Sequence, residues 1–117
     1  MAERLNRHAL REKVFQMLYQ SVFRTRDEIQ VDPYRELDPQ DAAEIEERLD
    51  RILAAVPQLD ELLNRCAKGW KTTRMSKVDL TILRLAAFEI LFDEHIPDSV
   101  AANEAVELAK TFSSEDA

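Results

Sequence analysis

The sequence predicts an all-α domain, and three observations lead there. Glycine occurs once in 117 residues, against a usual share of about 7%, and tight hairpin turns between strands depend on glycine. The chain is rich in Leu, Ala, Glu and Arg, which are good helix formers. Its apolar residues recur at helical spacing through most of its length. Apolar side chains make up 45% of the chain, enough for the core of one compact domain.

The first helix is expected from about Glu3 to about Phe23. Arg4, Arg7 and Arg11 lie on one stripe of it, and Phe15, Leu18 and Val22 continue that stripe. One azimuth is therefore basic at its start and apolar later, as in a helix whose second half sits in a core while its first turns project beyond it. Lys13, Gln16 and Gln20 form the neighbouring polar strip. Residues 24–40, with Pro33 and Pro39, read as a loop. An acidic amphipathic helix is expected from about Pro39 to Val56, with Ile45, Leu49, Ile52, Leu53 and Val56 at helical spacing.

Pro57 is expected to end that helix and to open another as its first residue. Leu59, Leu62, Leu63 and Cys66 would line the apolar side of this next helix, Cys66 as a small buried residue. Gly69 suits the left-handed residue that closes a helix. Residues 69–77 form a basic connector with Trp70, and Ser76 with Asp79 makes an N-cap followed by an acid in the first turn. From Val78 to Phe92 only Asp79, Thr81, Arg84 and Glu89 are polar, which predicts a central helix buried nearly all round. A last helix is expected from about Pro97 to Phe112. Ala101, Ala102, Ala105, Val106, Leu108, Ala109 and Phe112 would form its packed side; Asn103, Glu104, Glu107 and Lys110 would form the other. Asn is a poor mid-helix residue, so Asn103 is expected to have a specific hydrogen-bonding role, inside the fold or at the surface.

The formal net charge is −7, but the charges are segregated. Residues 1–26 hold six basic and two acidic side chains, and residues 63–86 hold six and one. The intervening residues 27–62 and the closing residues 87–117 are acidic. An acidic protein with such blocks presents a positive patch if folding brings the basic blocks together; otherwise the charges are solvated helix faces. One cysteine excludes an internal disulfide and a cysteine-based zinc site. His8 and His95 are isolated, and neither a nucleophile–base arrangement nor a glycine-rich phosphate loop occurs. No catalytic residue, metal or cofactor is expected, and the chain is not read as an enzyme. Residues 1–13 lack the pattern of a secretory signal, and no apolar run has the length of a bilayer span, so a cytoplasmic location is expected.

The run Ile96-Pro97 followed by Val100-Ala101-Ala102-Asn103-Glu104-Ala105-Val106-Glu107-Leu108-Ala109-Lys110 resembles the signature of the NusB family of bacterial transcription antitermination factors. Val78 to Ala86 with Glu89 resembles the family's central helix, and Trp70 before Arg74 its connector. Arg7, Arg11-Glu12 and Leu18-Tyr19-Gln20 resemble its arginine-rich first helix. The resemblance covers most of the chain outside residues 24–45. It implies two small helical bundles packed together, and binding to the single-stranded boxA element of ribosomal RNA leader transcripts jointly with NusE, a small-subunit ribosomal protein. It also implies membership of an RNA polymerase antitermination complex that suppresses premature termination.

Arg4, Arg7, Arg11 and Lys13 are then the candidate RNA-binding cations, since arginine both pairs with phosphate and stacks on bases. Tyr19 matches the family's tyrosine in the first helix, which the resemblance offers as an RNA contact and which serves equally as a core aromatic; Lys110 and Asp116 match positions near the family's RNA-facing end. Asp79 matches an acidic position on the NusE side, and it also suits a helix N-terminus. The family continues beyond Ser114-Glu115-Asp116 with a further helix, so residues 1–117 read as a single RNA-binding domain that is incomplete at its C-terminus. An uncovered apolar surface that promotes self-association is then expected. Some family members form homodimers that cover the RNA face, which adds a homodimer to the expected partners.

Two other readings stay open. One is the NusB-like RNA-binding domain of an RNA cytosine methyltransferase, which a methyltransferase domain downstream in the gene would favour. The other is a helical protein-interaction module without an RNA role, favoured if charge reversal at Arg7 and Arg11 leaves RNA binding unchanged.

Overall fold

The computed structural model describes residues 4–30, 36–66 and 72–113. Among these residues all regular structure is helical: α1 (Arg7–Gln20), α2 (Pro39–Cys66), α3 (Lys77–Phe92) and α4 (Asp98–Phe112), with short 3-10 turns at Arg26–Glu28 and Thr72–Arg74. The chain divides into two compact units, Met1–Leu53 and Ala54–Ala117. The all-α expectation holds.

In the first unit α1 starts where Asn6 caps it, its side chain accepting the Ala9 amide at 2.8 Å. The helix is therefore shorter than expected at both ends. Val14, Phe15, Met17 and Leu18 of α1 are buried, as are Ile45, Leu49 and Ile52 of α2. Each contributes about 1.5–3 kcal/mol through burial. Asp38 opens α2 by accepting the Gln40 amide at 2.8 Å, with Pro39 as the first helical residue, where its missing N–H costs nothing.

Residues 24–30, expected as plain loop, instead form a capped 3-10 turn. The Glu28 carboxylate accepts both the amide and the hydroxyl of Thr25, at 2.9 and 3.0 Å. Ile29 enters the core, and Arg26 pairs with Asp50 of α2 at 2.6 Å.

Pro57 does not end a helix: α2 runs without interruption for 28 residues with Pro57 inside it. The missing N–H removes only the bond to the Leu53 carbonyl, and the fully buried Ile52 and Leu59 flank the proline on either side. Burial on both sides outweighs the local defect. The boundary between the two units falls at this same Leu53. Cys66, the last residue of α2, is exposed rather than buried, because its stripe runs past the core after Leu59. The expectations for Gly69 and Trp70 lie outside the described residues.

In the second unit Ser76 caps α3 as expected, its hydroxyl oxygen accepting the Asp79 amide at 3.1 Å. α3 and α4 pack against each other. The small Ala101, almost fully buried, faces the same side of α4 as Leu108. The packed side of α4 is narrower than expected, since Ala102 and Val106 are exposed. α3 is not buried all round either. Leu80, Ile82, Leu85 and Phe88 are inside, whereas Leu83, Ile90, Leu91 and Phe92 are 38–51% exposed. The polar Thr81 and Glu89 are buried. Thr81 meets the requirement of burial by donating to the Lys77 carbonyl at 2.7 Å. Arg84 makes a two-pronged pair with Asp60 of α2, Nε to Oδ1 at 2.8 Å and Nη2 to Oδ2 at 2.7 Å.

Candidate nucleic-acid interface

The candidate cations of the first unit gather at the start of α1. Arg7 is exposed and Arg11 and Lys13 are half-buried, all within the first two turns of the helix. No acidic residue occupies the first turn of α1. Its N-terminal amides are therefore offset by the Asn6 side chain rather than by a carboxylate. His8 and Glu12 approach to 3.3 Å one helical turn apart.

Arg4 is not part of the helical stripe. It lies before the cap, outside the helix, and its Nε donates to Asp41 Oδ1 at 2.8 Å. Its Nη1 donates to Gln40 Oε1 at 2.6 Å, and the Leu5 amide donates to the other Asp41 oxygen at 2.8 Å. Asp41 is completely buried. The Leu5 amide, and then Arg4, hold its carboxyl below its ordinary value against the opposing effect of burial. The same pairing raises the Arg4 guanidinium. Asp50 is likewise held low by Arg26, and Glu28 by the amide and hydroxyl of Thr25.

All three carboxyls have depressed folded-state values. Their contribution is complete above the unfolded values of 3.8 for Asp and 4.5 for Glu and is lost as pH falls below them. Urea midpoints are expected to be flat between pH 7 and 5 and to fall below about pH 4. Asp41→Asn is expected to flatten that acid limb.

Tyr19 belongs to an aromatic ladder. It stacks on Phe15 with centroids 6.4 Å apart and meets the edge of Phe23 at 5.3 Å. Phe15 is buried and Phe23 is 62% exposed, so Tyr19, itself half-buried, is the rung between core and surface. Both of its expected roles fit this position.

In the second unit Lys110 is exposed near the end of α4 and pairs loosely with Glu107 at 3.6 Å. Asp79 accepts a 2.9 Å hydrogen bond from Ser113 Oγ, so the carboxylate joins the start of α3 to the end of α4. Asn103 is exposed, which leaves a surface role for its side chain. Asp116 lies outside the described residues. Sequence reading missed the holders of Arg4, namely Asp41 and Gln40, and the Ser113 contact of Asp79. The only local signal was Asp38-Pro39-Gln40-Asp41 as a helix start; the partners lie 37 and 34 residues away.

Among the described residues the fold is an all-helical one with arginines at the start of its first helix. Residues 8–117 match the NusB family, and the chain belongs to that family. It is 38% identical to the transcription antitermination protein NusB of Lachnoclostridium phytofermentans, over 92% of this chain and 86% of that one. It is 43% identical to the protein of the same name from Limosilactobacillus reuteri, over 95% and 83%. The solved structure of T. maritima NusB superposes with a TM-score of 0.83 at 31% identity, covering 97% of this chain and 83% of that one. Among the described residues no helix is long and apolar enough to cross a membrane, and no cluster of His, Cys, Asp or Glu could hold a metal ion.

Proposed function

We propose that this chain is a cytoplasmic transcription antitermination factor that binds boxA-type single-stranded RNA of ribosomal RNA leaders together with NusE. In this reading it joins the RNA polymerase antitermination complex. The observation that carries it is the exposed Arg7, with Arg11 one turn later, at the start of α1 in a member of the NusB family. Two arginines one turn apart suit successive phosphates, and their planar groups also stack on unpaired bases. Lys13 adds charge to the same end of the helix, and Tyr19 offers an aromatic surface. Lys110 and Asp116 are assigned to the RNA side and Asp79 to the NusE side. The exposed Leu83, Ile90 and Leu91 of α3 suit an apolar contact with a protein partner.

The test is fluorescence anisotropy of a labelled boxA RNA and a scrambled control at fixed salt, with and without NusE. Selective binding, tightened by NusE, is expected. Reversing both charges in Arg7→Glu/Arg11→Glu is expected to weaken boxA binding at least about 100-fold, since two charge-assisted contacts of about 1.5 kcal/mol each are lost. Equal binding of the variant and the parent would remove the arginine face from the mechanism.

A further inference from the structure

We infer that Arg4 serves RNA binding through Asp41 rather than by touching RNA, and that Asp41 is the positioning residue of the arginine face. This rests on the RNA-binding reading above. The geometry is a clasp. The buried Asp41 carboxylate, in the first turn of α2, takes the Arg4 Nε–H on one oxygen and the Leu5 amide on the other, both at 2.8 Å. Gln40 Oε1 takes a second guanidinium proton at 2.6 Å, and Asp38 stands 3.8 Å from Nε.

Residues 4 and 5 are thereby pinned to α2, and the next residue, Asn6, is the cap of α1. Leu10 closes the first turn by donating to the Asn6 carbonyl at 2.9 Å. The clasp therefore sets where α1 begins and in which direction its first two turns present Arg7 and Arg11. Two of the three nitrogens of Arg4 are committed to Gln40 and Asp41. A phosphate that drew the Nε edge of this guanidinium to itself would take the charged donor away from the buried Asp41 carboxylate, which is costly.

The inference opposes simple electrostatics. Removing a negative charge from an RNA-binding protein should strengthen its hold on RNA. Asp41→Asn is instead expected to weaken boxA binding about 5- to 30-fold, as misplacement of the two following arginines would. Arg4→Gln should weaken binding by a similar factor alone and by less than about twofold in the Asp41→Asn background, because the two residues act as one unit. In arginine Nε–H spectra of the wild-type protein, the Arg4 signal should stay in place as RNA is added while those of Arg7 and Arg11 move. This last readout needs no variant and is indifferent to any effect of the clasp on folding.

Equal losses from Arg4→Gln in both backgrounds, tighter binding by Asp41→Asn, or a large RNA-induced shift of the Arg4 signal would each overturn the inference while leaving the functional reading intact. Absence of selective RNA binding by the wild type would overturn the functional reading and this inference with it.

Discussion

Phe88→Ala is expected to lower the stability of the protein by about 3–5 kcal/mol. Phe88 is 2% exposed on the packed side of α3, in line with Leu85 and beside Phe92, whose ring lies 5.5 Å away. Truncation removes the transfer free energy of a benzyl group and leaves a cavity that neighbouring helices cannot fill, because their positions are set by their own contacts. A fall of about 4 °C per kcal/mol puts the expected drop in melting temperature at about 12–20 °C. The informative control is Leu91→Ala three residues on. Leu91 is as apolar as the rest of the helix but 51% exposed, and its truncation should cost less than about 1 kcal/mol. Urea denaturation of both variants checks the pair. Similar losses at the two sites would mean that α3 is enclosed on all sides, as its composition suggests.

Arg84→Met is expected to cost about 2–3 kcal/mol, and Arg84→Met/Asp60→Leu to recover most of that loss. The side chains of Arg84 and Asp60 are only 14% and 25% exposed, and they form two short parallel hydrogen bonds. Removing the guanidinium leaves a carboxylate largely shielded from water and without its donors, which is more harmful than losing the pair outright. The figure sits below the range of about 3–5 kcal/mol for a fully buried pair, because residual solvent screens the orphaned charge. Replacing both partners by apolar groups removes the unpaired charge and keeps the volume. Denaturant midpoints of the two singles and the double measure the coupling. Simple additivity of the two single losses would show that the pair is a surface contact of little weight.

The features that could be read directly from the chain are those whose physics is local. Ser76 before Asp79 specified the start of α3, and Pro39 the start of α2, since a cap needs only residues within one turn. The periodic Ile45, Leu49 and Ile52 were legible as core for the same reason. Pro57 was misread because its local penalty is visible in the sequence, whereas the burial that overrides it on both sides is not. On α3 the pattern was apolar all round, so nothing in it could say that Leu91 would face solvent while Arg84 and Glu89 went inside.

The candidate site divides in the same way. The arginines of α1 and their spacing are properties of the chain, as is the signature that resembles the NusB family. That Arg4 leaves the stripe for Asp41, and that Asp79 holds Ser113, was decided by folding. Those partners stand 37 and 34 residues apart. Helical propensity, capping and periodicity act over one or two turns and are encoded by neighbours in sequence. Which carboxylate meets which cation is selected by the packing of whole elements, where the desolvation of a single buried carboxylate outweighs any preference among its sequence neighbours.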